Sequence, residues 1–321
     1  MGATPTKYQS ASISFTDPMV NDTKNLLGAS IFYSFRGGSS TYYSPIDYTV
    51  AGGSLTWGRI FKWPDDFFRG SWSLRMDRKK YSANSQEDLN RYVGGLEKTD
   101  GVKIIQSIRR DSRDRPEFTT MGSLFSLQST IGGWFLGGNE DFHKHVLSLE
   151  FYTPTFWKFV LASSLKLGVI KELPSIEKSQ SIIPFDEKFI MGGNGIPYGN
   201  PLRGYEDNRV GPLTNSGNPI GGESLLKINT EFRFPFAENP VVYGMIFAEA
   251  GNVWSSLFLA ENFDVPRSGP LNLKRSIGAG IRFFMPMIGM LGFDMGYGFD
   301  NIVDGKIKGT WKTTITFGNQ F

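Results

Sequence analysis

Apolar residues recur at every second position along one segment of this chain after another, and that spacing admits few folds. Leu27, Ala29, Ile31, Tyr33 and Phe35 alternate with Gly28, Ser30 and Ser34. Trp157, Phe159, Leu161, Leu165 and Leu167 alternate with Lys158, Ser164 and Lys166. Leu226, Ile228, Phe232 and Phe234 alternate with Lys227, Asn229, Glu231 and Arg233, and Leu291, Phe293, Met295, Tyr297 and Phe299 with Gly292, Asp294, Gly296 and Gly298. Successive side chains of a strand point to opposite faces, so each apolar set lines one face. About thirteen strands of roughly 9–14 residues are predicted, near 7–15, 25–35, 47–60, 67–78, 102–113, 122–132, 144–153, 157–169, 224–235, 241–254, 274–284, 290–299 and 310–321. No segment carries a helical period strong enough to predict a helix.

A soluble sandwich and a membrane barrel both show this alternation. Here the polar face is Gly-rich as often as charged, as where a lumen must be filled by a loop. Trp, Phe and Tyr crowd the strand ends, as in interfacial girdles. The composition suits that mixture, with 40% hydrophobic and 14% aromatic residues and 38 Gly. No run reaches the roughly 18–20 apolar residues of a membrane helix, whereas the strands are near the length a tilted spanning strand needs. Short links (15–18, 62–66, 153–155) alternate with long ones (79–101, 133–143, 170–223), the two-rim pattern of a barrel. No composition break divides the chain, so 1–321 reads as one barrel domain. A net charge of +3 without a basic block gives no reason to expect a nucleic-acid partner. The absence of Cys fits a periplasmic route. Met1-Gly2-Ala3-Thr4-Pro5 has neither a basic nor an apolar region, so no signal peptide is expected there.

The longest link holds the chain's most unusual stretch, Met191-Gly192-Gly193-Asn194 through Leu202-Arg203-Gly204-Tyr205-Glu206-Asp207-Asn208-Arg209-Val210-Gly211-Pro212. Its Gly, Asn and Pro exclude a long strand or helix. A tether needs no Leu, Tyr or Val. A loop tucked into an interior uses them to pack and uses its Arg to find carboxylates.

Four places resemble the BamA-like outer-membrane assembly-factor superfamily, the bacterial surface antigen barrel. Leu202-Arg203-Gly204-Tyr205 is similar to that family's Val-Arg-Gly-Phe/Tyr motif, carried on a loop that folds back into the lumen. Arg113, Asp114, Pro116, Phe118 and Gly122 resemble its Arg-Asp-x-Pro-x-Phe-Pro-x-x-Gly strand-turn signature, with Thr119 in place of the second Pro. Phe247-Ala248-Glu249-Ala250-Gly251-Asn252-Val253-Trp254 resembles Phe-x-Asp-x-Gly-x-Val-Trp, with Glu one methylene longer than the usual Asp. The stretch 313–321, with Phe317 and a terminal Phe321, resembles the C-terminal strand signal of outer-membrane proteins.

The resemblance implies a transmembrane antiparallel β-barrel, about 13 strands of a 16-stranded family barrel, with an inward-folded long loop. Tyr8 to Pro18 resembles the family's fourth strand and the turn after it. Three strands and the periplasmic POTRA domains are therefore expected to be missing, through an N-terminally truncated chain or a start at an internal Met. In the family the loop Arg meets carboxylates on the next two strands, here Glu231 and Glu249. By parity Glu231 shares a face with Lys227, Asn229 and Arg233, so it points to the lumen, where Arg233 or Lys227 could also take it.

The implied function is an outer-membrane protein assembly factor in a diderm bacterium, inserting and folding nascent outer-membrane proteins into the lipid bilayer with accessory lipoproteins. A two-partner-type secretion transporter, a TamA-like translocation barrel and a passive porin are the alternatives. No cofactor or metal is expected, and no catalytic residue. His143 and His145, the only histidines, have no third ligand close by and read as rim residues. No Ser or Thr is marked as a nucleophile with a His base. Gly192-Gly193-Asn194-Gly195 lacks the strand–helix context of a phosphate loop.

Overall fold

Alternating side chains and frequent β-branched and aromatic residues give strands along nearly the whole chain. A computed structural model describes residues 8–37, 45–115, 117–174, 181–195, 199–215, 217–256, 271–285, 289–303 and 306–317. The strands are β1 (Tyr8–Asp17), β2 (Asn25–Arg36), β3 (Ile46–Ile60), β4 (Phe68–Ala83), β5 (Lys98–Asp111), β6 (Gly122–Gly132), β7 (Phe142–Pro154) and β8 (Val160–Glu172). After the long loop come β9 (Ser224–Glu238), β10 (Val241–Trp254), β11 (Lys274–Met285) and β12 (Gly289–Gly298). The arms β13 (Ile302–Val303) and β14 (Lys306–Ile307) pair with each other, and β15 (Thr310–Phe317) follows. Thirteen strands form one sheet, in chain order from β1 to β12 and then β15. From β1 through β5 and from β8 through β12 to β15 each strand pairs antiparallel with its neighbour, as hairpin links allow.

Two compact units divide the chain. One comprises Met1–Arg110, Ser126–Val146 and Ile170–Lys188, the other Asp111–Phe125, Leu147–Val169 and Phe189–Phe321.

The expectation of no helix is corrected. Helix α1 spans Gln86–Val93 in the first unit, inside what the alternation assigned to a long loop. The Ser85 side chain accepts from the Glu87 N–H at its start, and Gly94 closes it in the left-handed conformation. Leu89, Tyr92 and Val93 are its buried positions, packed with Ile46, Tyr48, Val50 and Tyr81 of β3 and β4. With β4 running to Ala83 and β5 starting at Lys98, the 79–101 link shrinks accordingly.

Burial is inverted relative to a water-soluble protein. In the first unit Asp77 and Lys79 of β4 are 5% and 0% exposed, while Leu74 and Met76 of the same strand are 38% and 53% exposed. In the second, Lys227, Asn229, Glu231 and Arg233 of β9 are buried, and so are Glu249 of β10 and Asp294 of β12. The outward residues there include Ile228, Ile246, Phe293 and Met295. Charged residues are almost never fully buried unless paired, and such an apolar outer face has no place in water. A hydrocarbon surround on one side and a polar, partnered interior on the other satisfies both faces.

A candidate lumen-loop site

The second unit turns the long loop into a folded object. Met191 bridges to Asn200 and to Val210, and Gly193 to Leu202. These contacts bury Met191 and Leu202 completely and nearly bury Tyr205 and Val210. The Met191 thioether lies against Gly251 of β10, so the loop is seated on the strands with Arg203 at their faces.

Arg203 meets both carboxylates named from sequence. Its Nη2 donates to Glu231 Oε1 at 2.8 Å, to Glu249 Oε1 at 2.9 Å and to Asn229 Oδ1 at 3.0 Å. Its backbone N–H donates to the other Glu249 oxygen at 2.7 Å. The extra methylene of Glu249 lets one carboxylate hold the arginine by side chain and backbone together. Adjacent register explains the convergence, because Glu231 lies opposite Phe247 and Asn229 opposite Glu249 on the same face of β9 and β10. The guanidinium also lies 3.6 Å from the Phe247 ring centroid, a cation–π contact.

Further charges close the network. Glu231 Oε2 accepts from Arg233 at 2.8 Å, so the neighbouring-cation pairing coexists with the loop pairing. Lys227 Nζ is 3.4 Å from Glu249, and Asp294 takes Arg282 in two hydrogen bonds of 2.8 and 2.7 Å while lying 3.8 Å from Arg203. Burial opposes the charge on Arg203, and Glu249, Glu231 and Asp294 outweigh it, keeping the guanidinium protonated above its ordinary range.

The flanking motif residues touch two more strands. Gly204 has φ +88° and lies so close to the backbone of Gly296 and Gly298 on β12 that no side chain fits between. Tyr205 donates to the Arg275 carbonyl at 2.7 Å, at the start of β11.

The strand-turn signature forms a separate clasp in the same unit. Arg113 holds Asp111 through Nε and Nη2 at 2.9 and 3.0 Å and Glu150 through Nη1 at 3.0 Å. Asp114 accepts from the Thr120 hydroxyl and from the backbone N–H groups of Thr120 and Met121. Phe118 is buried among Tyr152, Val160, Ala162, Tyr243 and Met290. Gly122 stands at φ +107° against the Ser112 carbonyl. Pro116 and Phe321 lie outside the described residues. Phe317 ends β15, with its backbone opposite Leu291.

Sequence reasoning treated the loop motif and the signature as separate features. Arg233 joins them, since it pairs with Glu231 and lies 5.4 and 5.6 Å from the rings of Tyr152 and Tyr243, which pack on Phe118. It also missed a second ion cluster on the same loop, in the first unit. Lys79 Nζ pairs with Glu140 and Asp186, each at 3.2 Å, and Lys103 Nζ with Glu140 and Glu187, each at 3.0 Å. Tyr48 donates to Asp186 at 2.9 Å, Lys144 reaches Glu187, and Phe185 sits edge-on to Tyr48, Tyr81 and Tyr92. The available signal was Lys79 and Lys103 on inward positions facing a loop with adjacent acids, Asp186-Glu187.

This inside-out sheet with its inward arginine loop matches a known family along its length. The Omp85 superfamily domain matches residues 2–321. The chain belongs to the Omp85 superfamily. Among Omp85 relatives, it is 27% identical over 305 residues to the outer membrane protein assembly factor BamA of Nitratidesulfovibrio vulgaris strain Hildenborough. That alignment covers 94% of this chain and 35% of the relative, so the chain spans about a third of the relative's length. In structure it resembles Haemophilus ducreyi BamA lacking POTRA domains 1–3, with a TM-score of 0.74 at 18% identity over 97% of this chain and 62% of that one. CdiB from Acinetobacter baumannii matches with a TM-score of 0.53 at 15% identity, over 96% and 49% of the two chains. The Omp85 fold here is that of an outer-membrane β-barrel.

Proposed function

We propose that this Omp85 chain is the barrel part of an outer-membrane protein assembly factor, helping nascent outer-membrane proteins fold into the bilayer. The observation that carries the reading is the Leu202–Tyr205 loop, seated through Arg203 on Glu231 and Glu249 inside a BamA-type fold. The named relative is itself an outer membrane protein assembly factor. On this reading the chain works without covalent chemistry. The backbone edge of β15 would template an incoming strand, because an exposed edge presents unsatisfied N–H and C=O groups. The strand-turn signature would hold the rim beneath it, and accessory lipoproteins would deliver substrate. Among the described residues no contact favours the secretion-transporter alternative over assembly.

The test is folding of a small unfolded outer-membrane barrel into vesicles with and without this protein, followed by heat-dependent gel mobility. Assembly activity accelerates folding, and Arg203→Ala reduces the acceleration. No acceleration, together with steady ion conductance in planar bilayers, would replace the proposal with a passive pore.

A further inference from the structure

The membrane-facing side of the first unit carries charge where a uniformly apolar belt would be simplest. Along β4 the outward positions run Leu74, Met76, Arg78 and Lys80, because Asp77, Lys79 and Tyr81 point inward and are buried. Arg78 lies opposite Asp100 of β5 and is bonded to it at 2.6 Å, a charge answered within the sheet. One step further out, Lys80 lies directly opposite Lys98. Both lysines are exposed. Directly opposed side chains of an antiparallel pair stand about 4.5–5.5 Å apart at Cβ, and like charges there repel. An anion between or above the two ammonium groups removes that cost.

The same edge continues on β7 and β8. His143 and His145 flank the inward Lys144 and so share the outward face, with their ring centroids 5.2 Å apart. His145 is hydrogen-bonded to Ser129 at 2.9 Å. Lys171 lies outward beside the fully buried Ile170, within electrostatic reach of His143. Counting from β4 to β8, these groups span four strand spacings, about 19 Å at roughly 4.8 Å each. All of them lie at the end of the sheet that carries α1 and the long loop, away from the short turn at 61–67. In an outer-membrane barrel the long loops face outward, which puts this collar just above the hydrocarbon edge of the outer leaflet. Lys80 is about 13 Å along the strand beyond Met76 at 3.3 Å per residue, or about 10 Å along the membrane normal at the usual barrel tilt, on the headgroup side of it.

We infer that this collar, with the Lys80–Lys98 pair at its β4–β5 end as the main contact, binds the phosphate groups of an anionic lipid of the leaflet on the long-loop side. The charge is of the complementary sign, and the groups stand where the lipid's charged portion lies while its chains meet Leu74 and Met76. A protein partner would have to approach through that leaflet.

Native mass spectrometry of the full 321-residue chain in detergent tests this, titrating lipid A, which carries two phosphates, against its dephosphorylated form. The phosphorylated lipid should be retained at lower concentration, the more so at low salt. Lys80→Gln with Lys98→Gln should weaken its retention roughly thirtyfold, two lysines at the usual attraction of a basic residue to an anionic bilayer. Lys80→Arg with Lys98→Arg should keep it. Arg59→Gln with Lys62→Gln, the same loss of charge at the short-turn end, should leave it unchanged. Equal retention of the two lipids overturns the inference. So does an equal loss in the Arg59/Lys62 variant, an unaffected glutamine pair, or an arginine pair as weak as the glutamine pair. The β circular dichroism of each variant guards against a folding defect.

Discussion

Glu231 divides its carboxylate between two arginines, giving one oxygen to Arg203 of the loop and the other to Arg233 of its own strand. The loop and the wall therefore share one anion. Arg203→Ala leaves Glu231 and Glu249 undercompensated in a buried site, a loss on the order of 3–5 kcal/mol. Because the contact is shared, Glu231→Gln with Arg203→Ala should fall short of the sum of the single losses by about 0.5–3 kcal/mol. Urea unfolding in lipid vesicles supplies the four stabilities. Strict additivity would mean the two residues act apart.

Glu249 reaches the side chain and the backbone N–H of Arg203 at once. Glu249→Asp restores the family's usual residue but withdraws the carboxylate by one methylene. It should keep one of the two contacts, and the loop should be cut by protease at a rate between those of the native chain and Glu249→Ala. A rate equal to that of the native chain would mean the backbone contact contributes nothing.

Phe118 anchors the strand-turn signature in an aromatic pocket, 4.9 Å between its centroid and that of Tyr243. Phe118→Ala should cost about 3–5 kcal/mol, the range for buried aromatics. Gel mobility after graded heating would report it, and an unchanged transition would remove Phe118 from the structural core.

The second ion cluster predicts a response to acid. Burial would raise the carboxyls of Asp186 and Glu187, but Lys79 and Lys103, with Lys144 at Glu187, outweigh it and hold both below the usual carboxylate range. A depressed folded value contributes stability that is present above the unfolded value, about 4, and is lost as pH falls through the folded one. Proteolysis of the 181–188 segment by an acid-active protease should thus stay constant from pH 7 to about 4.5 and rise progressively below about 4. A rise already near pH 6 would point to another group.

The strands were legible because lipid on one side and a polar lumen on the other make the period-two signal strong in this chain. Arg203, Glu231 and Glu249 could be singled out because a motif and strand parity pointed to the same face. Helix α1 escaped because it is only eight residues long and mostly polar, so its end signals (Ser85 before the acidic Glu87 and Asp88, and Arg91 before Gly94-Gly95) had no long apolar period between them. The Asp186–Glu187 cluster escaped for a different reason. Strand parity says that Lys79 and Lys103 face inward, but nothing in a linear pattern says where along a long loop their partners will land.

The loop motif also has a mechanical meaning. Through Arg203, Gly204 and Tyr205 it touches β9, β10, β11 and β12 together. A two-residue slip between any two of these strands displaces one by about 6.8 Å against the other, far more than any of those contacts can stretch. While the loop is seated, the four strands behave as a single plate. Shear needed to admit a new strand would then be taken up at seams outside it.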